Sequence, residues 1–153
     1  MPDPLPLIVF SLDEQRYALR LSSVERTVRM VEITPLPGAP EIVFGVIDVH
    51  GEIVPVLNIR KRFGLPERVP GIADHLIMAR TARHTVALVA DAIFDVVTLP
   101  GDELVAPATI LPRLEYVAGV AKLGDGMVFI HDLDAFLSLE EEQTLETALK
   151  GSV

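Results

Sequence analysis

The chain has 153 residues, a formal net charge of −9 and a composition that is 50% hydrophobic but only 5% aromatic, without Trp. This length suits one domain with an aliphatic, strand-favouring core, and the acidic balance argues against binding to nucleic-acid phosphates. The absence of Cys excludes disulfides, thiolate metal sites and a cysteine nucleophile, and fits a reducing compartment.

The first six residues, Met1-Pro-Asp-Pro-Leu-Pro6, are rich in Pro and predict a disordered arm over residues 1–6. They lack the basic segment and apolar stretch of a secretion signal. No apolar run further along the chain reaches the length that spans a bilayer. We therefore expect a cytoplasmic protein.

Short strand-like runs separated by polar turns make up most of the chain after the arm. Such a succession of short strands favours barrels over a layered α/β sheet. We predict ten strands near residues 7–13, 16–21, 24–30, 43–49, 52–57, 74–81, 85–90, 93–98, 116–122 and 126–131. The fifth of these contains a continuous apolar run that includes Ile53, Val56 and Leu57. Such a run indicates a strand buried on more than one side.

Helical signal is sparse. Residues 58–63 suit one or two helical turns that Gly64 and Pro66 would end. A clearer helix is expected over about 139–149, because Ser138 and Glu141 have the spacing of a capping box. Acidic residues at its start and Lys150 at its end also suit the helix dipole.

A weak internal repeat relates the two halves of the chain. Gly45-Val46 precedes one hairpin and Gly119-Val120 another, while Asn58-Ile59 and Asp132-Leu133 follow them, both at a separation of 74 residues. A period this long predicts two similar halves rather than a solenoid, although chance similarity between Val-rich hairpins is the alternative.

Motifs of catalysis are missing, since the chain has neither a G-x-S-x-G elbow nor a phosphate-binding G-x-x-x-x-G-K sequence. Asp91 and Asp95 are interpreted as a solvated edge, because their spacing on a hairpin fixes no distance between them. The histidines at 50, 75, 84 and 131 lack metal-site spacing. We read His131-Asp132 as a strand end followed by an Asp N-cap, and expect no metal, no cofactor and no catalytic residue.

A basic segment, Arg60-Lys61-Arg62, stands out in this acidic chain. A run of this length is ordinarily a solvated face. The alternative interpretation is that it complements an acidic partner helix.

The segment Gly45–Gly64 is the most informative part of the chain. Two β-branched runs in it flank the His50-Gly51 turn, and the second closes on the basic segment and Phe63-Gly64. Further ordered segments accompany it: Ile8–Leu12, Tyr17–Leu21, Val24–Val28, Leu36-Pro-Gly-Ala-Pro40, Thr85–Asp91, Phe94–Val97, Tyr116–Gly124 and Met127–Ile130. Together these segments resemble the CheW domain of bacterial chemosensory systems. The resemblance covers about residues 7–149, within a single domain expected over residues 7–150.

The resemblance implies a mainly β fold, with two SH3-like five-stranded β-barrels packed on a shared core and a C-terminal α-helix. It implies a non-catalytic adaptor that joins the cytoplasmic tip of a chemoreceptor to the regulatory domain of a CheA-type histidine kinase, at membrane-bound receptor arrays. Val24, Val46 and Val49, which could otherwise be ordinary barrel core, then belong to an exposed apolar groove. The positions that the resemblance assigns to partner binding are Val24, Arg26, Thr27, Gly45, Val46, Asp48 and His50.

Three positions depart from the family pattern. His50 replaces an Arg, so that a fixed charge becomes one that depends on pH near neutrality. Arg26 stands where the family usually has an acid, and Ala87 where it often has Gly. These changes leave open an accessory member of a non-motility pathway that binds one partner only. A different class of function, a barrel protein holding a small ligand in the cleft between barrels, also stays open.

Overall fold

Ten strands run through the part of the chain that the computed structural model describes, which is residues 4–100, 117–123 and 126–151. Each predicted strand is present, with ends that match or differ by at most two residues. The strands are β1 Leu5–Leu12, β2 Gln15–Arg20, β3 Val24–Arg29, β4 Val43–Val49, β5 Glu52–Leu57, β6 His75–Arg80, β7 Thr85–Ala90, β8 Ala92–Leu99, β9 Val117–Leu123 and β10 Gly126–His131.

The expected arm over residues 1–6 is wrong at its end, because Leu5 and Pro6 pair with Leu99 and Thr98 of β8. Residues 1–3 of that arm and Tyr116, the first residue of the predicted ninth strand, lie outside the described residues.

The described helices are few, as predicted. A short helix α1 spans Ile59–Arg62 and a longer helix α2 spans Leu139–Gly151, with 3-10 turns at Leu21–Ser23 and Leu133–Ala135. The capping box is present: Glu141 N–H donates to Ser138 Oγ at 3.1 Å, and Ser138 N–H donates to Glu141 Oε1 at 2.8 Å. Over the described ranges, no helix combines the length and apolar character that crossing a bilayer requires.

The strands form two five-stranded sheets in the orders β8-β1-β2-β10-β9 and β3-β6-β7-β5-β4. We call the first barrel 1 and the second barrel 2. The chain begins in barrel 1 with β1 and β2, builds all of barrel 2 with β3 to β7, and returns to complete barrel 1. This architecture confirms the mainly β, two-barrel prediction.

The 74-residue repeat relates one barrel to the other. β4 and β9 begin at Val43 and Val117, while β5 and β10 end at Leu57 and His131. In each barrel the second strand of this hairpin also makes the single parallel pairing, β5 with β7 and β10 with β2. The repeat is therefore a property of the fold and not a coincidence of composition.

Three hydrophobic clusters hold the barrels together. Leu7, Val9 and Val128 belong to the interior of barrel 1, and Val54 and Val56 to the interior of barrel 2. The largest cluster joins the outer faces of both sheets to helix α2 and forms a shared core. Its buried members include Phe10, Leu12, Leu19, Leu57, Ile59, Ile77, Leu88, Leu133, Phe136 and Leu145.

The prediction of burial in β5 is confirmed for Val56 and Leu57, which are 0% and 1% exposed. It is wrong for Ile53, which is 54% exposed. Ile53 lies on the outer face of β5 near the turn, where the barrel no longer covers it, although its neighbour Val54 points inward.

Candidate partner-binding surface

The two edge strands of barrel 2 carry six of the seven predicted site residues. Val24, Arg26 and Thr27 lie on β3, whereas Gly45, Val46 and Asp48 lie on β4. Strands β6, β7 and β5 stand between these two edge strands in the sheet. An edge strand leaves one row of backbone groups outside the sheet, which makes it a place where another chain can dock. The resemblance therefore selects positions on both edge strands of one barrel, although Thr34 already pairs with Val46 along part of the β4 edge.

Val24 and Val46 are both half-buried and pack against the shared core, Val24 from the β3 edge and Val46 from the β4 edge. Val49, expected in the same groove, is 7% exposed and packs inside barrel 2, so that expectation is wrong. Arg26 and Thr27 are exposed on β3, and the Arg26 side chain makes no hydrogen bond or ion pair with another described residue. The surface thus joins a partly covered apolar rim to an unpaired positive charge. Such a combination suits a partner that is both apolar and acidic.

Gly45 has a structural part in this surface. The segment that leads into β4 crosses it at Thr34, whose N–H donates to Val46 C=O at 2.8 Å and whose C=O accepts from Val46 N–H at 2.8 Å. A Cβ at Gly45 would stand 2.8 Å from the Thr34 carbonyl carbon and 3.0 Å from Ile33 Cγ2. Because only Gly permits this approach, Gly45 contributes backbone shape rather than a side chain.

The turn between β4 and β5 places Asp48 and His50 at the tip of the hairpin. His50 and Gly51 both have positive φ angles, 53° and 87°, as a two-residue type I′ turn requires. Asp48 Oδ1 accepts from Gly51 N–H at 2.8 Å and fixes the turn. The His50 side chain is exposed above it, so the turn serves both to reverse the chain and to present His50.

Ile53 extends this surface and was missed by the sequence reasoning. It pairs directly with Asp48 across the hairpin, and Val46 pairs with Pro55 on the same ladder. Its apolar side chain is 54% exposed beside a polar turn and is therefore available to a partner. The sequence contains no signal for this exposure, because Ile53 belongs to the same apolar run as its buried neighbours.

Ala87, the third departure from the family pattern, lies elsewhere. It is completely buried in the interior of barrel 2 and pairs with Met78 and Val56. Its effect is on packing within the barrel and not on a partner surface.

The basic segment is a structural element, so the interpretation of Arg60 and Arg62 as a solvated or partner-facing patch is wrong. Arg60 has a side chain only 7% exposed and bonds Asp91 at 2.7 Å and Asp13 at 3.0 Å. Arg62 bonds Glu141 of helix α2 at 2.6 Å. Of the three basic residues, only Lys61 has a solvated side chain, and its Nζ lies 3.2 Å from Glu41 Oε2.

Asp91 is the centre of a charge network between the barrels, so its interpretation as a solvated residue is also wrong, whereas Asp95 is exposed as expected. Arg68 bonds both Asp91 and Asp74. Burial would raise the pKa of Asp91, but hydrogen bonds from Arg60, Asp13 N–H and Arg68 lower it below its usual range. Hydrogen bonds from Arg68 likewise lower the pKa of Asp74 against the effect of burial.

His131 lies inside an aromatic cluster and is not exposed for binding. Its ring stacks on Phe63 at 4.4 Å between centroids and lies 4.8 Å from Tyr17. Burial lowers the pKa of His131 from 6.5 to about 3, so the ring is neutral. Asp132 does precede a helical turn, as predicted, but its side chain makes no capping hydrogen bond.

The space between the barrels is filled by the shared core, which removes the main argument for a ligand cleft there. A hollow of about 510 Å³ opens at one end of barrel 2 between the segments 30–33 and 69–72. It is lined by exposed apolar side chains and belongs to a surface rather than to an enclosed ligand site.

Comparison with known proteins identifies relatives over nearly the whole chain. The model of the family described as CheW-like domain matches residues 6–141. The chemotaxis protein CheW of Treponema pallidum is 26% identical over 145 residues, covering 91% of this chain and 85% of that protein. The chemotaxis protein CheW of Rhizobium meliloti is 26% identical over 139 residues, covering 90% of each. The crystal structure of the scaffolding protein TtCheW from Thermoanaerobacter tengcongensis superposes with a TM-score of 0.81, at 30% identity over 92% of this chain and 96% of that one.

Proposed function

Because this chain belongs to the family of CheW-like domains, whose members are non-catalytic scaffolds, we propose that it couples chemoreceptor tips to a CheA-type histidine kinase. The chain is an adaptor of chemotaxis and not an enzyme. The observation that carries the finer proposal is the two-barrel fold shared with the scaffolding protein over 92% of the chain. In this proposal the protein works in the cytoplasm at membrane-bound receptor arrays.

The receptor-binding surface in this proposal spans both edge strands of barrel 2, with Val24, Arg26 and Thr27 on β3. On β4 and its hairpin it comprises Gly45, Val46, Asp48 and His50, with Ile53 added. A receptor tip is helical, and a helix docks by laying apolar side chains into a partly apolar groove. Val24, Val46 and Ile53 supply the apolar contacts. Arg26 and His50 supply positive charge at the rim, where it sets specificity more than affinity.

The charges available to a partner are fewer than the sequence indicates. Arg60 and Arg62 are bonded to Asp13, Asp91 and Glu141 inside the molecule. Among the seven predicted site residues, complementarity to an acidic partner therefore rests on Arg26 and His50, which are exposed.

The experiment that tests the surface measures binding of a receptor cytoplasmic fragment to Ile53→Asp and to a matched control, Val96→Asp. Ile53 and Val96 are 54% and 52% exposed, and Val96 lies on β8 of barrel 1. We expect the Asp at 53 to weaken binding at least about tenfold, as for an interface anchor, and the control to stay within twofold. Equal affinities of the two variants would remove the β4–β5 hairpin from the receptor site.

The same preparation, tested with the kinase regulatory domain, separates a coupling protein from an accessory one. A coupling protein binds both the receptor fragment and the kinase domain, and forms a ternary complex. Binding to one alone would instead support an accessory member of the family, and binding to neither would contradict the adaptor proposal.

His50 provides a second test, based on charge. If the docked partner is acidic, His50→Arg should tighten receptor binding at pH 8 by about 0.5–2 kcal/mol and flatten its dependence on pH. Calorimetric titrations of the wild type and the variant at pH 6 and pH 8 provide the four affinities. Four equal values would show that His50 serves only the turn.

A further inference from the structure

Three potential metal ligands from distant parts of the chain converge at the junction of barrel 2 and helix α2. His84 ends the turn between β6 and β7, while Glu142 and Glu146 are one helical turn apart on α2. One ligand atom from each lies within 4.8 Å of the other two. The side chains therefore surround one point in space.

The distances suit an ion held between the three groups. His84 Nε2 lies 3.0 Å from Glu142 Oε2 and 3.7 Å from Glu146 Oε1. Two ligands at about 2.0–2.2 Å from a tetrahedral ion stand roughly 3.3–3.6 Å apart. The observed separations bracket that value.

Two of the ligand atoms are buried and lack hydrogen-bond partners. Glu142 is 7% exposed, and neither its Oε2 nor His84 Nε2 has a hydrogen-bond partner among the described residues. At 3.0 Å the two atoms are close, but the geometry at the ring nitrogen is not that of a hydrogen bond. A buried carboxylate oxygen without a donor is costly, and so is a second carboxylate four residues away on the same helix face.

The backbone positions His84 independently of this contact. Thr81 N–H donates to His84 C=O at 2.8 Å, and His84 N–H donates to Thr81 Oγ1 at 3.0 Å. Ala82 N–H donates to Asp134 Oδ1 at 2.7 Å, which ties the turn to the helical segment after β10. These bonds hold the backbone of residue 84 beside helix α2, so that the imidazole starts from a fixed position.

We propose that His84, Glu142 and Glu146 form a binding site for a divalent transition-metal ion of the Zn²⁺ type. One imidazole nitrogen and two carboxylate oxygens suit such an ion better than Ca²⁺ or Mg²⁺, which prefer all-oxygen shells of six or more ligands. The ion's two positive charges balance the two carboxylates. An open hollow of about 190 Å³ adjoins Glu142, so that water can complete the coordination.

Bound metal would clamp helix α2 to barrel 2. The helix already packs Leu145 and Ala148 into the shared core, so the ion would add metal coordination to this hydrophobic contact. Because metal binds the folded arrangement of residues 84, 142 and 146 and not the unfolded chain, it would raise thermal stability.

The test is titration of the full chain, free of any polyhistidine tag, with Zn²⁺ and separately with Mg²⁺. We expect one Zn²⁺ per chain and a rise in Tm of roughly 5–10 °C at a hundredfold excess over Kd. Glu146→Gln should weaken Zn²⁺ binding at least about tenfold, and its side chain, 42% exposed, can be replaced without unfolding the protein. His84→Ala should abolish binding.

Glu140→Gln is the matched control, because Glu140 is an exposed acid on the same helix outside the cluster. It should bind Zn²⁺ as the wild type does, and Mg²⁺ should leave the Tm of all variants unchanged. A wild type whose Tm does not respond to Zn²⁺ would overturn the proposal. So would Zn²⁺ affinity that is equal in the wild type, Glu146→Gln and His84→Ala, since these results would leave only an ion pair between His84 and the carboxylates.

Discussion

The neutral, buried His131 makes the stability of this protein depend on pH in a range where most carboxylates stay ionised. Its ring is 3% exposed and contacts Phe10, Tyr17, Phe63 and Phe136. Among the described residues, neither ring nitrogen has a hydrogen-bond partner. The folded protein therefore resists protonating this ring, whereas the unfolded chain accepts the proton readily.

The size of the effect follows from the two pKa values. Burial lowers the pKa of His131 to about 3, against 6.5 in an exposed histidine. In that range the unfolded state binds more protons, so the free energy of unfolding falls as the pH falls, by about 1.4 kcal/mol per pH unit. The loss begins near pH 6.5 and amounts to about 2 kcal/mol at pH 5.

The assay compares urea unfolding of the wild type and His131→Phe at pH 7 and pH 5. Phe keeps the aromatic contacts and cannot be protonated, so the difference in stability between the two proteins should change by about 2 kcal/mol in favour of the variant at pH 5. His131→Leu should lose the same pH dependence even if it is less stable at both pH values. His50→Ala, which removes an exposed histidine, should retain it.

A stability difference between wild type and His131→Phe that is the same at pH 7 and pH 5 would refute the reasoning. It would mean that the folded protein protonates His131 as easily as the unfolded chain does. The ring would then have to be hydrated or paired, and the aromatic cluster would not be closed to water.

Three further expectations concern the core, the edge strand and the charge network. Leu57→Ala, at a position 1% exposed in the shared core, should lower the free energy of unfolding by about 2–5 kcal/mol in urea, and a loss under about 0.5 kcal/mol would contradict its burial. Gly45→Ala should cost about 1–3 kcal/mol, because its Cβ would meet the Thr34 carbonyl, and circular dichroism melting that matches the wild type would contradict this. Asp91→Asn should cost about 1–3 kcal/mol at pH 7 by depriving Arg60 and Arg68 of a carboxylate. Since the pKa of Asp91 is lowered, its contribution is present above about pH 4 and lost below it, so acid titration should show the variant and wild type converging.

The fold was predictable from sequence because its signals are local. Short β-branched runs bounded by turn residues gave the strands, and the Ser138–Glu141 spacing gave the start of helix α2. The 74-residue offset predicted two related barrels, since each hairpin carries its pattern within 15 residues. The burial of Ile53 was mispredicted because an apolar run does not show which face of a strand a barrel covers.

The polar sites were not predictable in the same way, because their members are far apart in sequence. Arg60 meets Asp13 and Asp91 at separations of 47 and 31 residues. His84 meets Glu142 and Glu146 of helix α2, and strands β7 to β10 lie between them in the sequence. Neither spacing resembles a motif, and only the packing of the barrels brings the groups together.

The repeat nonetheless contains information about Arg60 that a reading of charge alone misses. In the 74-residue offset, Asn58-Ile59-Arg60 corresponds to Asp132-Leu133-Asp134, and both triplets follow the second strand of their hairpin. Arg60, which follows a strand of barrel 2, bonds Asp13 in the β1–β2 turn of barrel 1.

Asp134, which follows a strand of barrel 1, accepts from Ala82 N–H in the β6–β7 turn of barrel 2. Each barrel thus reaches across to the equivalent turn of the other, with opposite charge at the equivalent position. Because Asp134 lies in a helical turn and links the two barrels through its hydrogen bond, the repeat indicates that Arg60 links them too. The Arg60 guanidinium is therefore already paired at the junction of the barrels and is not available to a partner. The hydrogen bond from Ala82 to Asp134 also holds the turn that carries His84 beside helix α2.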